Sequence, residues 1–286
     1  MTTATKTSSL NERAMLVKVT CHQWSASSTN QRVSKEACIQ NGAKSDAGVF
    51  VTKLTPKGAL DEINSERLKC RAIWLRYTLP WMDGGYRVIP SALFFEYTKK
   101  MRAAIAKHTK AVERFLERYP EYLQEAQERL GNIKKEHRLP SVEEIKYKFG
   151  IDCDVLPMPF DGDFRIDMNA DDLDEIRANA RNTIEAAASK AVTELYKQFG
   201  QLITNIIKSM KKDKRIHASV IHNLKDFCDM IPVMNITDDP KLEELRKEAM
   251  KKLSTLDPED LRAIKSKRQA AGKDASELLD KIKQYS

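Results

Sequence analysis

Just after Pro90 the sequence takes up a helical period and holds it for about seven turns. The apolar positions lie three or four residues apart and average about 3.6, the period of an α-helix. They are Phe94, Tyr97, Met101, Ile105, His108, Val112, Phe115 and Tyr119. This repeat predicts a long amphipathic helix with one buried face, and it places His108 in the core as a hydrogen-bonded residue.

A second helix of unusual length is predicted downstream of Asn169, which can cap it. Acidic residues fill its first turns, as the helix dipole prefers, and apolar residues recur at helical spacing from Leu173 to Met210. Because such a helix spans roughly 60 Å, it needs a long partner to bury its stripe. We expect the helices at 92–119 and 170–210 to pack antiparallel, with a second copy of the chain completing their burial as a homo-oligomer.

Upstream of Pro90 the pattern mixes strand and helix periods. Strands are predicted at 15–24 and 49–54, and a helix of about five turns is predicted from Thr55-Pro56 to Tyr77. The Asp83-Gly84-Gly85 segment predicts a tight hairpin turn, because glycine accepts the positive φ that such turns require. The expected fold class is therefore mainly α (α+β), with a small mixed N-terminal unit followed by long antiparallel helices.

Two shorter helices carry start signals. Thr29 or Asn30 can cap a helix that ends at Gly42. Ser141-Val142-Glu143-Glu144 is a capping box, which predicts a helix at 142–149 that Gly150 ends in a left-handed conformation.

The chain is expected to divide where its composition changes. Residues 151–180 hold 2 basic and 9 acidic residues, so the rest of the chain is more basic than the net charge of +8 suggests. The predicted segments are a flexible arm at 1–14, a mixed α/β unit at 15–90, a helical segment at 91–150, an Asp/Pro-rich extended linker or hairpin at 151–168, and a helical body at 169–286 with a partly mobile C-terminus.

Composition excludes some classes of protein. No apolar run approaches the ~20 residues that a membrane-spanning helix needs. The first fourteen residues lack the basic-then-apolar order of a secretory signal, so we expect a cytoplasmic protein. The five cysteines are scattered without a CxxC pair, which predicts reduced thiols.

No motif for catalysis or cofactor binding is present. The sequence lacks GxxxxGK[ST], GxGxxG, GxSxG and HExxH, and His217 and His222 point in different directions around a helix. One enzyme-like feature is a group of aspartates in a turn-rich stretch, namely Asp152, Asp154, Asp161, Asp163 and Asp167. Turn and cap chemistry explains them, with a Mg²⁺ site or a docking surface for a basic partner as alternatives. We therefore expect no catalytic residue, metal or cofactor.

Two groups of residues predict binding of an anionic polymer. The first closes the long C-terminal helix and consists of Lys208, Lys211, Lys212, Lys214 and Arg215. The second combines arginines with rings on which bases can stack, namely Arg71, Arg76, Trp81, Tyr86 and Arg87. Because each neutralised phosphate releases a counterion, both groups suit a nucleic acid. The alternatives are that the lysines complement the helix dipole and that the nearby Trp74 and Tyr77 are core residues.

Two segments resemble those of a family of tailed-phage proteins with no assigned function. They are Arg76–Pro90 (RYTLPWMDGGYRVIP) and Pro157–Asp167 (PMPFDGDFRID), and the resemblance covers roughly residues 15–170. Its motifs carry no known catalytic meaning. The resemblance implies a phage or prophage protein that acts in the host cytoplasm, where replication and recombination proteins work on DNA.

The leading hypothesis is a non-enzymatic DNA-binding protein of phage replication, recombination or genome protection, with single strands favoured by the aromatic and arginine mixture. A second hypothesis is a helical scaffold or protein-interaction factor, including one that counters host defence. The third is a Mg²⁺-dependent nuclease centred on Asp161, Asp163 and Asp167.

Overall fold

The structure is a computed structural model that describes residues 10–82, 84–131, 140–159, 170–211 and 217–285. It is mainly helical with two small sheets, which confirms the predicted fold class. The helices are α1 Gln31–Gln40, α2 Asp61–Tyr77, α3 Ser91–Leu130, α4 Val142–Lys146, α5 Ala170–Lys211, α6 Ala218–Met234, α7 Pro240–Lys252, α8 Pro258–Ala263 and α9 Lys265–Ile282. The strands are β1 Ala14–His22, β2 Ser27–Asn30, β3 Phe50–Lys53, β4 Leu79–Pro80, β5 Arg87–Pro90 and β6 Gly150–Pro157.

The larger sheet has the strand order β4-β5-β1-β6, and the smaller sheet pairs β2 with β3. β1 runs antiparallel to β5, with Met15 opposite Ile89, and β5 runs antiparallel to β4. The β4–β5 connection passes through Gly84 and Gly85, whose φ angles are +102° and +83°. Glycine adopts such angles without strain, so the predicted hairpin is confirmed, although Asp83 itself lies outside the described residues.

The chain divides into two compact units, each built from separate stretches of sequence. Unit 1 contains residues 1–18, 75–96 and 154–286, and unit 2 contains residues 19–74 and 97–153. This division differs from the segments predicted by composition. Within unit 1, for example, strand pairing joins the start of β1 to β5, which lies about seventy residues later in the chain.

The core of unit 1 forms where α5 packs against α6 and α9. Two glycines lie where α9 meets α5. A β-carbon at Gly200 would lie 3.5 Å from Cγ2 of Ile282, and one at Gly272 would lie 3.6 Å from Cβ of Met210. These are ordinary van der Waals distances, so there is room for a β-carbon at each position.

This packing corrects three expectations. The stripe of α5 is buried by α6 and α9 of the same unit, so the expected pair with the helix at 92–119 is not what covers it. The C-terminus, which was expected to be partly mobile, forms the packed helix α9. Ala271 and Leu278 of this helix are buried, but most of the residues around them in the sequence are polar, so its apolar face is narrow. Of the expected flexible arm at 1–14, residues 1–9 lie outside the described residues, whereas Leu10 is buried in the core of unit 1 and Arg13 pairs with Asp238 at 2.8 Å.

In unit 2 the apolar stripe of α3 packs against Trp24, Ile63 and Ile145. The rings of Phe115 and Tyr119 lie 6.4 Å and 5.8 Å from that of Trp24, both edge to face. The buried members of the predicted stripe are Tyr97, Met101, His108, Val112, Phe115 and Tyr119. The long helix with one buried face is therefore confirmed, and it extends to residue 130.

Some helix boundaries differ from the prediction for local reasons. α2 begins at Asp61 rather than at Thr55-Pro56, because Gly58 takes a φ of +88° and turns the chain before the helix starts. α4 ends at Lys146, and Gly150 opens strand β6 instead of capping the helix.

Two of the predicted caps are confirmed, whereas Asn169, predicted to cap α5, lies outside the described residues. The side chain of Asn30 accepts a hydrogen bond from the backbone N–H of Val33 at the start of α1. At α4 the hydroxyl of Ser141 accepts from the N–H of Glu144, and the Glu144 carboxylate accepts from the N–H of Ser141. These bonds satisfy N–H groups that the first turn of a helix leaves unpaired.

Two expectations about the whole chain, on its cysteines and on membrane-spanning helices, can be compared with the structure. All five cysteines are free thiols, as predicted. None of the helices in the described part of the chain combines the length and the apolarity that crossing a membrane requires.

His108 lies in unit 2 with 2% of its surface exposed, which confirms its place in the core. Its Nε2 atom has no hydrogen-bond partner among the residues that the structure describes, so the expectation of a hydrogen-bonded histidine is not met at that atom. Burial lowers the pKa of His108, Arg67 lowers it further, and Glu66 acts in the opposite direction. The folded chain therefore takes up a proton here less readily than the unfolded chain.

Because an unfolded histidine titrates near pH 6.5, we expect the free energy of unfolding to fall as the pH drops below about 6.5. His108→Leu removes the group and should show a smaller fall. Urea unfolding followed by circular dichroism at about pH 7.5 and about pH 5.5 measures the difference. His217→Leu, at an exposed position whose side chain makes no capping hydrogen bond, is the control and should keep the wild-type fall. An identical pH dependence in His108→Leu and the wild type would contradict this role of His108.

Candidate nucleic-acid interface

The aromatic residues predicted to stack on bases lie in unit 1 and are engaged there. Trp81 is 3% exposed and shares a core with Leu79 and Val88, so neither face of its ring is open to a base. Tyr86 is half-buried, and the ammonium of Lys18 lies 5.4 Å from the centroid of its ring. The structure therefore leaves Trp81 no part in base stacking.

The arginines of the same group are divided between the units. In unit 1, Arg76 pairs with Asp226 at 3.0 Å, and Arg87 donates to Oγ1 and O of Thr78 at 2.7 and 2.8 Å. In unit 2, Arg71 is exposed on α2. Two of the three arginines thus already have protein partners, as interior and interfacial guanidinium groups usually do.

The lysine cluster at the end of α5 is described only in part. Lys208 and Lys211 are exposed there, and neither forms an ion pair with a residue that the structure describes. Lys212, Lys214 and Arg215 lie outside the described residues, so their clustering stays a prediction.

Cations of the C-terminal helices are neutralised locally. Eight lysine and arginine side chains between residues 240 and 285 form ion pairs, namely Lys241, Arg246, Lys247, Lys252, Lys267, Lys273, Lys281 and Lys283. The shortest include Arg246 to Glu243 at 2.6 Å, and this contact holds the pKa of Glu243 below its ordinary value. Most of these pairs are three or four residues apart on one helix, which is the spacing that brings side chains together.

Helix α3 shows the opposite arrangement over residues 97–112 of unit 2. This stretch carries five cations and no Asp or Glu, and all five cations are exposed. Within the described ranges, Lys99, Arg102, Lys107 and Lys110 form no ion pair, whereas Lys100 has an interaction with the protein. We call Lys99, Arg102, Lys107 and Lys110 the α3 cationic face.

The geometry of the helix gathers these four residues on its outer side. At about 100° per residue, they fall within an arc of about 140°, centred opposite the buried stripe. From Lys99 to Lys110 the axis rises by about 16 Å. The packing of Phe115 and Tyr119 against Trp24 keeps this side of the helix turned towards solvent.

This surface was not among the predicted sites, although its signal is visible in the sequence. The predicted clusters were runs of adjacent lysines, whereas the α3 cationic face is spread over three turns of a helix. The informative feature is the absence of any acidic residue between Glu96 and Glu113. Arg102 and Lys107 have no acid three or four residues away on the helix, and Lys99 and Lys110 form no ion pair with a described residue although Glu96 and Glu113 lie three residues from them.

The aspartate group does not form a metal centre in the parts of the chain that are described. No set of His, Cys, Asp or Glu side chains there could hold a metal ion. Oδ2 of Asp152 lies 2.9 Å from Nε2 of His22, and Asp154 is exposed on β6. Asp161, Asp163 and Asp167 lie outside the described residues, so the nuclease hypothesis stays a prediction.

Unit 1 also contains a groove of about 450 Å³ between α5 and α6. Its floor is apolar and includes Leu195, Ile231 and Met234, all buried. Half-buried Phe227 and Met230 rise from α6. The charges that line it are Arg76 and Asp226, which pair with each other, so the groove carries no net charge.

Neither a family model, nor a curated protein, nor a solved structure matches the chain. The likeness to tailed-phage proteins therefore stays a prediction that depends on the segments at 76–90 and 157–167.

We expect Trp81→Ala to act on stability, because it empties a fully enclosed site in unit 1. Removing a buried tryptophan costs about 3–5 kcal/mol of the free energy of unfolding. Urea unfolding followed by circular dichroism measures this cost, and Tyr86→Ala, at a half-buried position, should cost less. A Trp81→Ala protein with wild-type stability and weakened oligonucleotide binding would show instead that the ring is open to bases.

Proposed function

We propose that the protein is a non-enzymatic nucleic-acid-binding protein that contacts phosphates through the α3 cationic face. The observation that carries this proposal is the set of four exposed cations, unpaired in the described structure, on a helix stretch that contains no acidic residue. Each bound phosphate releases counterions, which favours binding without any contact to bases.

A nucleic acid fits this face better than an acidic protein surface does. Duplex DNA carries one charge per about 1.7 Å of axis, so the roughly 16 Å between Lys99 and Lys110 corresponds to about nine phosphate charges. An acidic protein surface rarely offers that density, because its carboxylates are interspersed with cations. Binding through phosphates positions the partner without reading its sequence.

The biological setting of this activity is also part of the proposal. Replication, recombination or genome protection in a phage, and a cytoplasmic location, are supported by the sequence alone. Arg71, Lys208 and Lys211 are exposed and can add phosphate contacts, whereas Arg76 and Arg87 are held by Asp226 and Thr78.

The test replaces all four residues of the α3 cationic face with Gln, which keeps long side chains and helix propensity but removes the charge. Fluorescence anisotropy with a labelled duplex across a salt series should show weaker binding. The slope of log K against log salt should become shallower by about 3–4, because about four phosphate contacts are lost. Circular dichroism establishes that the variant is folded.

A matched control removes the same charge from unit 1. Lys241, Lys247, Lys273 and Lys283 are exposed lysines that pair with acids of their own helices. Their quadruple Gln variant should keep a slope within about one of the wild type, because paired cations release few counterions. Equal losses in the two variants would mean that total charge, and not the α3 cationic face, governs binding.

A second candidate function is self-association as a scaffold, and the groove of unit 1 favours it. Two copies of a chain with net charge +8 repel each other except where the contact surface is neutral. The groove meets that condition, since Arg76 and Asp226 cancel, and its half-buried Phe227 and Met230 offer apolar anchors. If a second copy placed Phe227 and Met230 of its own α6 into this groove, the two copies would form a two-fold symmetric contact.

Met230→Glu should then convert a dimer into a monomer. Size-exclusion chromatography with light scattering at tens of micromolar measures the mass, and Leu68→Glu, at an exposed apolar position of unit 2, is the control that should stay dimeric. A wild-type protein that is monomeric under these conditions would contradict the scaffold function.

A further inference from the structure

Tyr147 is the most exposed aromatic residue of unit 2, with 83% of its surface accessible. It follows directly on α4 and stands between Lys146 and Lys148, which are both exposed. Neither lysine forms an ion pair with a described residue. An open ring flanked by two unpaired cations is the combination that proteins use to bind single-stranded nucleic acids.

The backbone on both sides of Tyr147 is held by packing and hydrogen bonds, so the ring is exposed on an ordered turn. Before it, the capping box of Ser141 fixes the start of α4, and Ile145 is fully buried. After it, the N–H of Lys148 donates to the carbonyl of Ile145 at 2.8 Å, and the ring of Phe149 lies 5.7 Å from that of Phe115. A ring presented by a fixed backbone loses little entropy when a ligand stacks on it.

A second aromatic side chain of similar exposure shows what is particular to Tyr147. Phe95 is 82% exposed, but its chain neighbours are Phe94 and Glu96. The Glu96 carboxylate accepts a hydrogen bond from the hydroxyl of Tyr77 and places a negative charge beside that position. The chain neighbours of Tyr147 are the exposed cations Lys146 and Lys148, and the acids nearest to it in the chain, Glu144 and Glu143, lie three and four residues before it.

A cavity of about 460 Å³ adjoins the same turn in unit 2 and supplies room for a neighbouring nucleotide. Its lining includes Lys148, the hydroxyl residues Ser27 and Ser28, the buried Trp24, and Glu144, whose carboxylate accepts the N–H of Ser141. The lining therefore carries one positive and one negative charge, and its hydroxyl and ammonium groups can bind sugar and phosphate oxygens.

We propose that Tyr147 stacks on an unpaired base of a single-stranded nucleic acid while Lys146 and Lys148 contact the flanking phosphates. This proposal rests on the nucleic-acid-binding function and adds a preference for single strands. Base faces inside a duplex are covered by their neighbours, so the ring can engage only a base that is unstacked.

The test compares Tyr147→Phe, Tyr147→Leu and Tyr147→Ala with the wild type, using a labelled single strand and a duplex of the same sequence. Because stacking contributes about 1–3 kcal/mol per base, Tyr147→Ala should bind the single strand about 5- to 150-fold more weakly. Tyr147→Leu keeps apolar bulk without an aromatic face and should lose a similar factor. Tyr147→Phe keeps the ring and should stay within about twofold. Duplex binding should change little in all three.

Tyr147→Trp supplies a direct signal, because stacking of a base quenches indole fluorescence. The single strand should quench the added emission and the duplex should not. Single-strand affinity that is unchanged in Tyr147→Leu, while the quadruple Gln variant of the α3 cationic face loses binding, would overturn stacking and leave the proposed function standing. Absence of any oligonucleotide binding by the wild type at low salt would overturn both.

Discussion

The packing of α3 against the aromatic cluster of unit 2 determines which residues of that helix face solvent. Phe115 and Tyr119 contact Trp24 edge to face, and the same cluster contains Ile145 and Phe149, whose ring lies 5.7 Å from that of Phe115. Because side chains on a helix are fixed at about 100° intervals, burying this stripe turns Lys99, Arg102, Lys107 and Lys110 outward together. The same cluster anchors the turn that carries Tyr147.

The distribution of ion pairs matters more for function than the net charge does. The C-terminal helices contain many cations, but Glu243 and Glu248 each accept more than one of them. Lys252 and Lys281 together hold the pKa of Glu248 below its ordinary value, which shows how closely these charges are matched. Residues 97–112 include no acid, and Lys99, Arg102, Lys107 and Lys110 form no ion pair with a described residue, so their positive charge is left for a partner.

Much of the architecture was predictable because it follows from local rules. Short stretches of sequence specify the backbone conformation in three places: the apolar period from Phe94 to Tyr119, the capping box at Ser141 and the glycines at 84–85. The partner of a long helix was not predictable in the same way. α9 packs on α5 through Gly200 and Gly272, and a face of small residues gives little hydrophobic signal.

The sequence predicted a nucleic-acid interface, which stays a prediction, and the residues now proposed for it differ from those that the sequence suggested. Arginines next to tryptophan in the sequence suggested stacking, yet the hydrophobicity of Trp81 led to its burial, as it does for most large rings. An exposed tyrosine between two lysines is a weaker pattern in sequence, because only the structure shows that Ile145 and Phe149 are the buried neighbours. Exposure depends on tertiary packing, and composition alone does not report it.

Lysine footprinting tests the central claim most directly, because it reads individual positions of the intact chain. The protein is acetylated with and without a saturating oligonucleotide, and each lysine is quantified by mass spectrometry. The α3 cationic face predicts protection of Lys99, Lys107 and Lys110, with no change at the ion-paired Lys247 and Lys273. Protection confined to Lys208 and Lys211, or spread evenly over all these lysines, would contradict it.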